Sequence, residues 1–226
     1  TDIASRRDND LSIWLPGVAA LYQIDEQWSV LAGVHRGFSP LGGSAKSAEK
    51  PETSINYEMG VRYDGAWFAE IVGFYSDFSN KAESCSNSQP CSNGAVGGTF
   101  VTGEAVIAGV ELQLGHVFQT GDIAWPISLS YTHTQAEASR DDAQSGVLEG
   151  DELASVPGNT MSLRMGAQVG ARWDSYAVVK YTDSMCVNVS CNRDESRFAE
   201  TEGFVVIDLG SRYAFTEALS AFVKLE

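Results

Sequence analysis

Val106-Ile-Ala-Gly-Val-Glu-Leu-Gln-Leu-Gly-His-Val-Phe-Gln-Thr120-Gly121-Asp-Ile-Ala-Trp-Pro-Ile-Ser-Leu-Ser-Tyr-Thr-His-Thr134 holds two alternating runs on either side of a tight link. In the first, Val106, Ala108, Val110, Leu112 and Leu114 oppose Glu111, Gln113 and Gly115. In the second, Trp125, Ile127, Leu129 and Tyr131 alternate with Ser128, Ser130, Thr132 and Thr134. A period of two places each set on one face of a β-sheet. Outward from this pair the same pattern recurs. Ile55, Tyr57, Met59, Val61 and Tyr63 oppose Asn56, Glu58 and Arg62. Met161, Leu163, Met165, Ala167 and Val169 oppose Ser162, Arg164, Gly166, Gln168 and Gly170. Val205, Ile207 and Leu209 oppose Asp208 and Arg212. Ser12 to Ile24 and Tyr176 to Asp183 alternate poorly, and their faces stay unassigned.

Ten strand-like stretches emerge, and the links between them alternate between short and long. Short links fall at Asp25-Glu26-Gln27, Asp64-Gly65, Thr120-Gly121, Arg172-Trp173-Asp174 and Thr216-Glu217. Long ones run from Pro40 to Lys50, Asn80 to Thr102, Ser139 to Pro157 and Cys186 to Glu202. A soluble sandwich has no reason to gather its long loops at one end. A barrel across an outer membrane does, with tight turns on the assembly side and long loops outside. Aromatic residues near strand ends, Tyr57, Tyr63, Trp67, Tyr75, Phe78, Phe118, Trp125, Trp173, Tyr176, Tyr181 and Tyr213, suit interfacial girdles. The expected fold is all-β: an antiparallel up-and-down transmembrane barrel section whose ten strands each pair with their sequence neighbours.

Composition agrees with this and excludes other classes. Over 226 residues the mean hydropathy is slightly negative, as in a barrel whose alternate residues alone face lipid. No apolar run approaches the roughly 18 residues of a membrane helix. Nothing resembles a linker, so one unit over 1–226 is expected. The polar start and mid-strand stop suggest an internal piece of something longer. The net charge of −15 argues against a nucleic-acid partner. Much of the acid sits in two long loops, as Asp141, Asp142, Glu149, Asp151 and Glu152, and as Asp194, Glu195, Glu200 and Glu202. Solvated loop charge accounts for these residues; a cation-collecting surface is the alternative.

Cys85 with Cys91, and Cys186 with Cys191, form two local couples inside long loops. Two short-range disulfides in an oxidising compartment are expected, with a four-thiolate zinc site as the rival. There is no phosphate loop, nucleophile elbow or His-Glu-x-x-His. His35, His116 and His133 lie on separate strands, and the acidic run near Asp141 lacks a recognised calcium spacing. No cofactor and no enzymatic activity are expected.

Three segments carry a family resemblance. Arg36-Gly-Phe38-Ser-Pro40 closes one strand, and Pro51-Glu52-Thr-Ser-Ile55-Asn56-Tyr57-Glu58-Met-Gly60-Val-Arg62-Tyr63 opens the next. Gly150-Asp-Glu-Leu153-Ala-Ser-Val-Pro157 returns from an acidic loop. Together they resemble the C-terminal barrel of TonB-dependent outer-membrane receptors, the second segment being the specific one. The run is most similar to the ferric-dicitrate branch, including a small cysteine loop like Cys85 to Cys91. The resemblance implies a 22-stranded barrel around an N-terminal plug, of which these strands would be the twelfth to the twenty-first. Plug, TonB box, first barrel half and last strand would then lie outside this chain. It further implies a bacterial outer-membrane location, with membrane lipid and TonB as partners. The implied activity is uptake of an iron chelate, ferric citrate or another siderophore, captured by outer loops and plug apex, with no bond made or broken. Anionic chelates need positive groups, and the loops offer Lys46, Lys50, Lys81, Arg140, Arg193 and Arg197. Arg193 and Arg197 are the leading ligand-binding candidates, with Arg140 beside them; Asp194 and Glu195 offer that pair a purely structural role instead. A passive porin with a constricting inner loop and a soluble β-sandwich carbohydrate-binding module are the competing readings.

Overall fold

A computed structural model describes residues 12–40, 51–85, 98–142, 146–187, 191 and 199–226. Its strands are β1 (Gly17–Gln23), β2 (Trp28–Ser39), β3 (Glu52–Asp64), β4 (Phe68–Cys85), β5 (Gly98–Thr120), β6 (Ile123–Ala138), β7 (Asn159–Val169), β8 (Trp173–Thr182), β9 (Phe204–Ala214) and β10 (Ser220–Leu225). They form one sheet in the order β1 to β10, each strand hydrogen-bonded to its sequence neighbours. Every pairing is antiparallel. Five short turns therefore lie at one end of the sheet and four long connections at the other. The sheet is open, with β1 and β10 at its edges, as a partial barrel must be.

The register assigns the described strand side chains to two faces. Tyr22, Val30, Val61, Ile71, Leu112, Tyr131, Met161, Tyr181 and Val205 follow one another across nine strands. Parallel rows on that face hold Leu114, Leu129, Leu163, Val179 and Ile207. The opposite face carries Glu58, Arg62, Glu111, Arg164, Asp208 and Arg212, with Arg62 paired to Glu70 and Lys180 to Asp208 at 2.7 Å. The register also settles the two stretches that alternation left open: Val18, Ala20 and Tyr22 belong to the apolar face, as do Ala177, Val179 and Tyr181.

No second sheet covers this apolar face among the described residues. Met59 is 72% exposed, Val205 57% and Ile207 55%. An apolar surface that spans a whole sheet is untenable in water and is natural against lipid. Aromatic rings on the same face form two belts. Trp28 packs on Tyr63, Trp67 stacks with His116, and Tyr213 meets Phe215 near the short turns. Tyr57 and Tyr75 pair toward the long-loop end, where Tyr131 and Tyr181 also lie. Along β3 and β6 the belts are six residues apart, about 20 Å at 3.4 Å per residue, which suits a tilted membrane strand.

Strand boundaries differ from the sequence reading in two places. β4 and β5 continue past Asn80 and Thr102 to pair Cys85 with Gly98, across a bulge between Phe78 and Lys81 where Asn80 adopts φ 57°. Main-chain pairing carries that extension beyond the point where alternation fades. Trp173 and Asp174 lie inside β8 rather than in the turn, because Trp173 pairs with Val169 and Tyr213.

Candidate ligand-facing site at the long-loop end

Above His133, β6 outruns β7 and leaves an unpaired edge at the long-loop end. The connection between them fills it. Ala138 N–H donates to Asp151 O, Gly150 N–H to Ala138 O, and Leu153 N–H to Ala136 O. Leu153 then packs against Ala105 and Ala136, with Phe78, Ile107 and Val156 around them. These β-strand residues share the polar face with Glu58 and Glu111, so the loop folds inward over the lumenal side. Gly146 (φ 78°) and Gly150 (φ 85°) supply the left-handed turns that reverse the chain.

The acids of this loop do more than keep it solvated. Asp151 is 2% exposed and its Oδ2 accepts from Leu148 N–H at 2.7 Å, while Asp141 Oδ1 accepts from Glu149 N–H at 2.8 Å. A carboxylate that takes backbone donors stabilises a tight loop in the manner of an Asx turn. Charge counting alone could not separate the buried Asp151 from the exposed acids; the signal lay in its position next to Gly150.

The β8–β9 connection docks on the first loop. Ser155 N–H donates to Cys186 O, and Cys186 bridges to Glu200. A disulfide joins Cys186 to Cys191, both buried with Ala199. Glu152 and the two sulfurs lie within 4.8 Å of one another, yet sulfurs bonded to each other are not thiolates and cannot serve as metal ligands. Cys91 lies outside the described residues, as does the side chain of Cys85, so that couple is not placed.

Between the loops and the upper end of β6 lies a cavity of about 280 Å³, lined by Glu137, Glu152, Asp183, Ser184 and Glu200 among others. Of the cationic candidates, Arg140 is ion-paired with Glu104 at 2.9 Å while its side chain stays 71% exposed. Arg193, Arg197, Lys46 and Lys50 lie outside the described residues, as does the side chain of Lys81. The histidines are dispersed: His116 stacks on Trp67 at the lower belt, and His133 Nδ1 lies 3.1 Å from Asn159 Oδ1 at the upper one.

Asn159 anchors a polar knot at the upper belt. It accepts from Tyr131 OH at 2.7 Å and donates through Nδ2 to Asp183 Oδ2 at 2.7 Å. Asp183 Oδ1 also accepts from Tyr181 OH and Ser184 N–H, both at 3.0 Å. The hydrogen bonds from Asn159, then Tyr181 and Ser184, hold the Asp183 carboxyl below its ordinary pKa. A lowered folded-state pKa means that the stabilisation is present above the unfolded value of about 3.9 and is lost as pH falls through the lower folded value. The protection of the Ser184 amide, relative to its intrinsic exchange at each pH, should therefore fall on acidification below about pH 4, and D183N should remove that loss. An unchanged acid response in D183N would assign it to another group.

Residues 1–226 match the family described as TonB dependent receptor-like, beta-barrel. The chain belongs to this family. It is accordingly an outer-membrane barrel protein of Gram-negative type, with its apolar face toward lipid. Among curated relatives, the ferripyoverdine receptor of Pseudomonas aeruginosa is 27% identical over 229 residues, covering 94% of this chain and 26% of that receptor. The iron-regulated outer membrane virulence protein of Vibrio cholerae is 25% identical, covering 89% and 33%. Among solved structures, the ferric yersiniabactin uptake receptor FyuA from Yersinia pestis superposes with a TM-score of 0.69 at 19% identity, over 93% of this chain and 31% of that one. The chain thus spans about a quarter to a third of the curated relatives it matches.

Proposed function

We propose that this chain is the C-terminal barrel section of a longer receptor that takes up an iron chelate with energy from TonB. The observation that carries the reading is the family match over the whole chain, joined to relatives that are by name a ferripyoverdine receptor and an iron-regulated outer-membrane protein. A polar lumenal wall and inward-folded loops supply the surfaces that capture needs. Ferric citrate is the finer candidate ligand, from the resemblance of the overall run, with its small Cys85 to Cys91 loop, to the ferric-dicitrate branch. The receptor makes and breaks no bond in its cargo; binding and release are its whole chemistry. Arg193 and Arg197 are the proposed contacts to an anionic chelate.

One feature favours a second reading, a passive pore, because residues 150–156 lie over the lumenal side as a constriction would. Cells that lack their own siderophore receptors and express the intact receptor separate the two. Radioactive iron should accumulate from one ferric chelate in a panel that includes ferric citrate, and accumulation should fall to background in a TonB-deficient strain. Uptake that persists without TonB and rises in proportion to external concentration would overturn the receptor reading in favour of the pore.

A further inference from the structure

Main-chain hydrogen bonds continue the sheet outward from β6 through two different loops. Leu153 N–H donates to Ala136 O at 3.0 Å, Ser155 N–H to Cys186 O at 2.8 Å, Val187 N–H to Ala199 O at 2.8 Å, and Thr201 N–H to Met185 O at 2.9 Å. Bridges between Glu137 and Glu152, and between Cys186 and Glu200, mark the same steps. Cys186 stands at the junction. Its carbonyl holds the first loop, its backbone pairs with the return arm of the second, and its side chain is bonded to Cys191.

We propose that residues 150–155, 185–187 and 199–201 form one rigid shelf at the lumenal mouth, and that the Cys186–Cys191 disulfide is its redox-sensitive lock. Cys186 and Cys191 are each 2% exposed and Ala199 is 4% exposed, so the disulfide is buried within the shelf. A dithiol reductant supplies two electrons and two protons. Its own sulfurs pair as the Cys186–Cys191 bond breaks, and two thiols remain. Those thiols must then sit at a non-bonded separation, about 3.5–4.0 Å for heavy atoms, and in this proposal part of that separation is taken up by a shift at Cys186. The Ser155–Cys186 hydrogen bond is the first link such a movement breaks. Release at Cys186 therefore loosens a loop that contains no cysteine.

Two carboxylates guard the lock. Glu152 Oε2 lies 3.3 Å from Cys186 Sγ, and Glu200 Oε1 lies 4.0 Å from Cys191 Sγ. Their charge repels an attacking thiolate and disfavours thiolates as leaving groups, both of which slow exchange. The shelf accordingly stays locked against weak monothiols and opens to a strong dithiol. That the shelf faces a chelate rests on the proposed uptake function; the coupling of the two loops does not.

Hydrogen exchange on the intact receptor in detergent micelles tests the lock without any ligand. After treatment with dithiothreitol, and in the C186S/C191S variant, the amides of Leu153 and Ser155 should exchange on the order of tenfold faster or more. Leu129 and Tyr131, deep in β6, should be unchanged. Acceleration confined to 185–187 and 199–201, with 150–155 still protected, would overturn the coupling. If the double variant does not reach the membrane, reduction of the wild-type receptor reports the same amides. Iron uptake measured in parallel judges the function separately: a locked shelf in a receptor that moves no chelate leaves the coupling standing and removes the uptake reading.

Discussion

Arginine in place of Leu129 should destabilise the membrane-inserted barrel by about 2–4 kcal/mol, the cost of that charge near the bilayer midplane. Leu129 sits between Leu114 and Leu163 on the face that meets lipid, between the Trp125 and Tyr131 levels. The adjacent S130R should change stability by no more than about 0.5 kcal/mol, because Ser130 lies on the lumenal face between Gln113 and Ser162. Thermal unfolding of the intact receptor in lipid vesicles reads both. The pair matters more than either variant, since adjacent residues share strand, depth and local propensity and differ only in face. Equal losses in the two would mean that both faces are equally dry, and the barrel assignment would have to be abandoned.

The second large effect is expected at Gly109. A methyl group there would press into the His133 carbonyl oxygen and lie 2.6 Å from the Phe74 ring edge. Phe74 is the cross-strand partner of Gly109 on the lumenal face, and its ring covers the glycine. G109A must therefore push β6 away from β5 or expel the ring, at a cost of about 3 kcal/mol. Gly115 provides the control, on the same strand and the same face. A methyl group there meets nothing closer than Phe68 Cβ at 3.7 Å, so G115A should be neutral or slightly stabilising, since alanine restricts the unfolded chain. Similar melting temperatures for the two variants would show that the β4–β6 packing is looser than these distances require.

Strand pairing and facing were legible because a two-sided environment writes itself into alternate side chains. Leu112, Leu129 and Leu163 had to be apolar, and Ser130 and Ser162 did not. The strict alternation of link lengths ordered the strands, since an antiparallel meander sends every second link to the same end. Where alternation was weak, as from Tyr176 to Asp183, register decided instead: Tyr181 stands beside Met161 and Val205, and nothing within that stretch alone says so.

The loops obey a different logic. The contacts of Leu153 with Ala136, and of Ser155 with Cys186, run through main-chain groups that every residue possesses, so no side-chain pattern announces them. The burial of Asp151 and the ion pair of Arg140 with Glu104 likewise depend on which segments the folded chain brings together. The sequence by itself determined an all-β meander with one lipid face, because lipid and water impose opposite demands on successive residues. Only the tertiary structure decided that two long loops join over the lumen through Cys186, because that junction is made by backbone hydrogen bonds between segments some thirty residues apart.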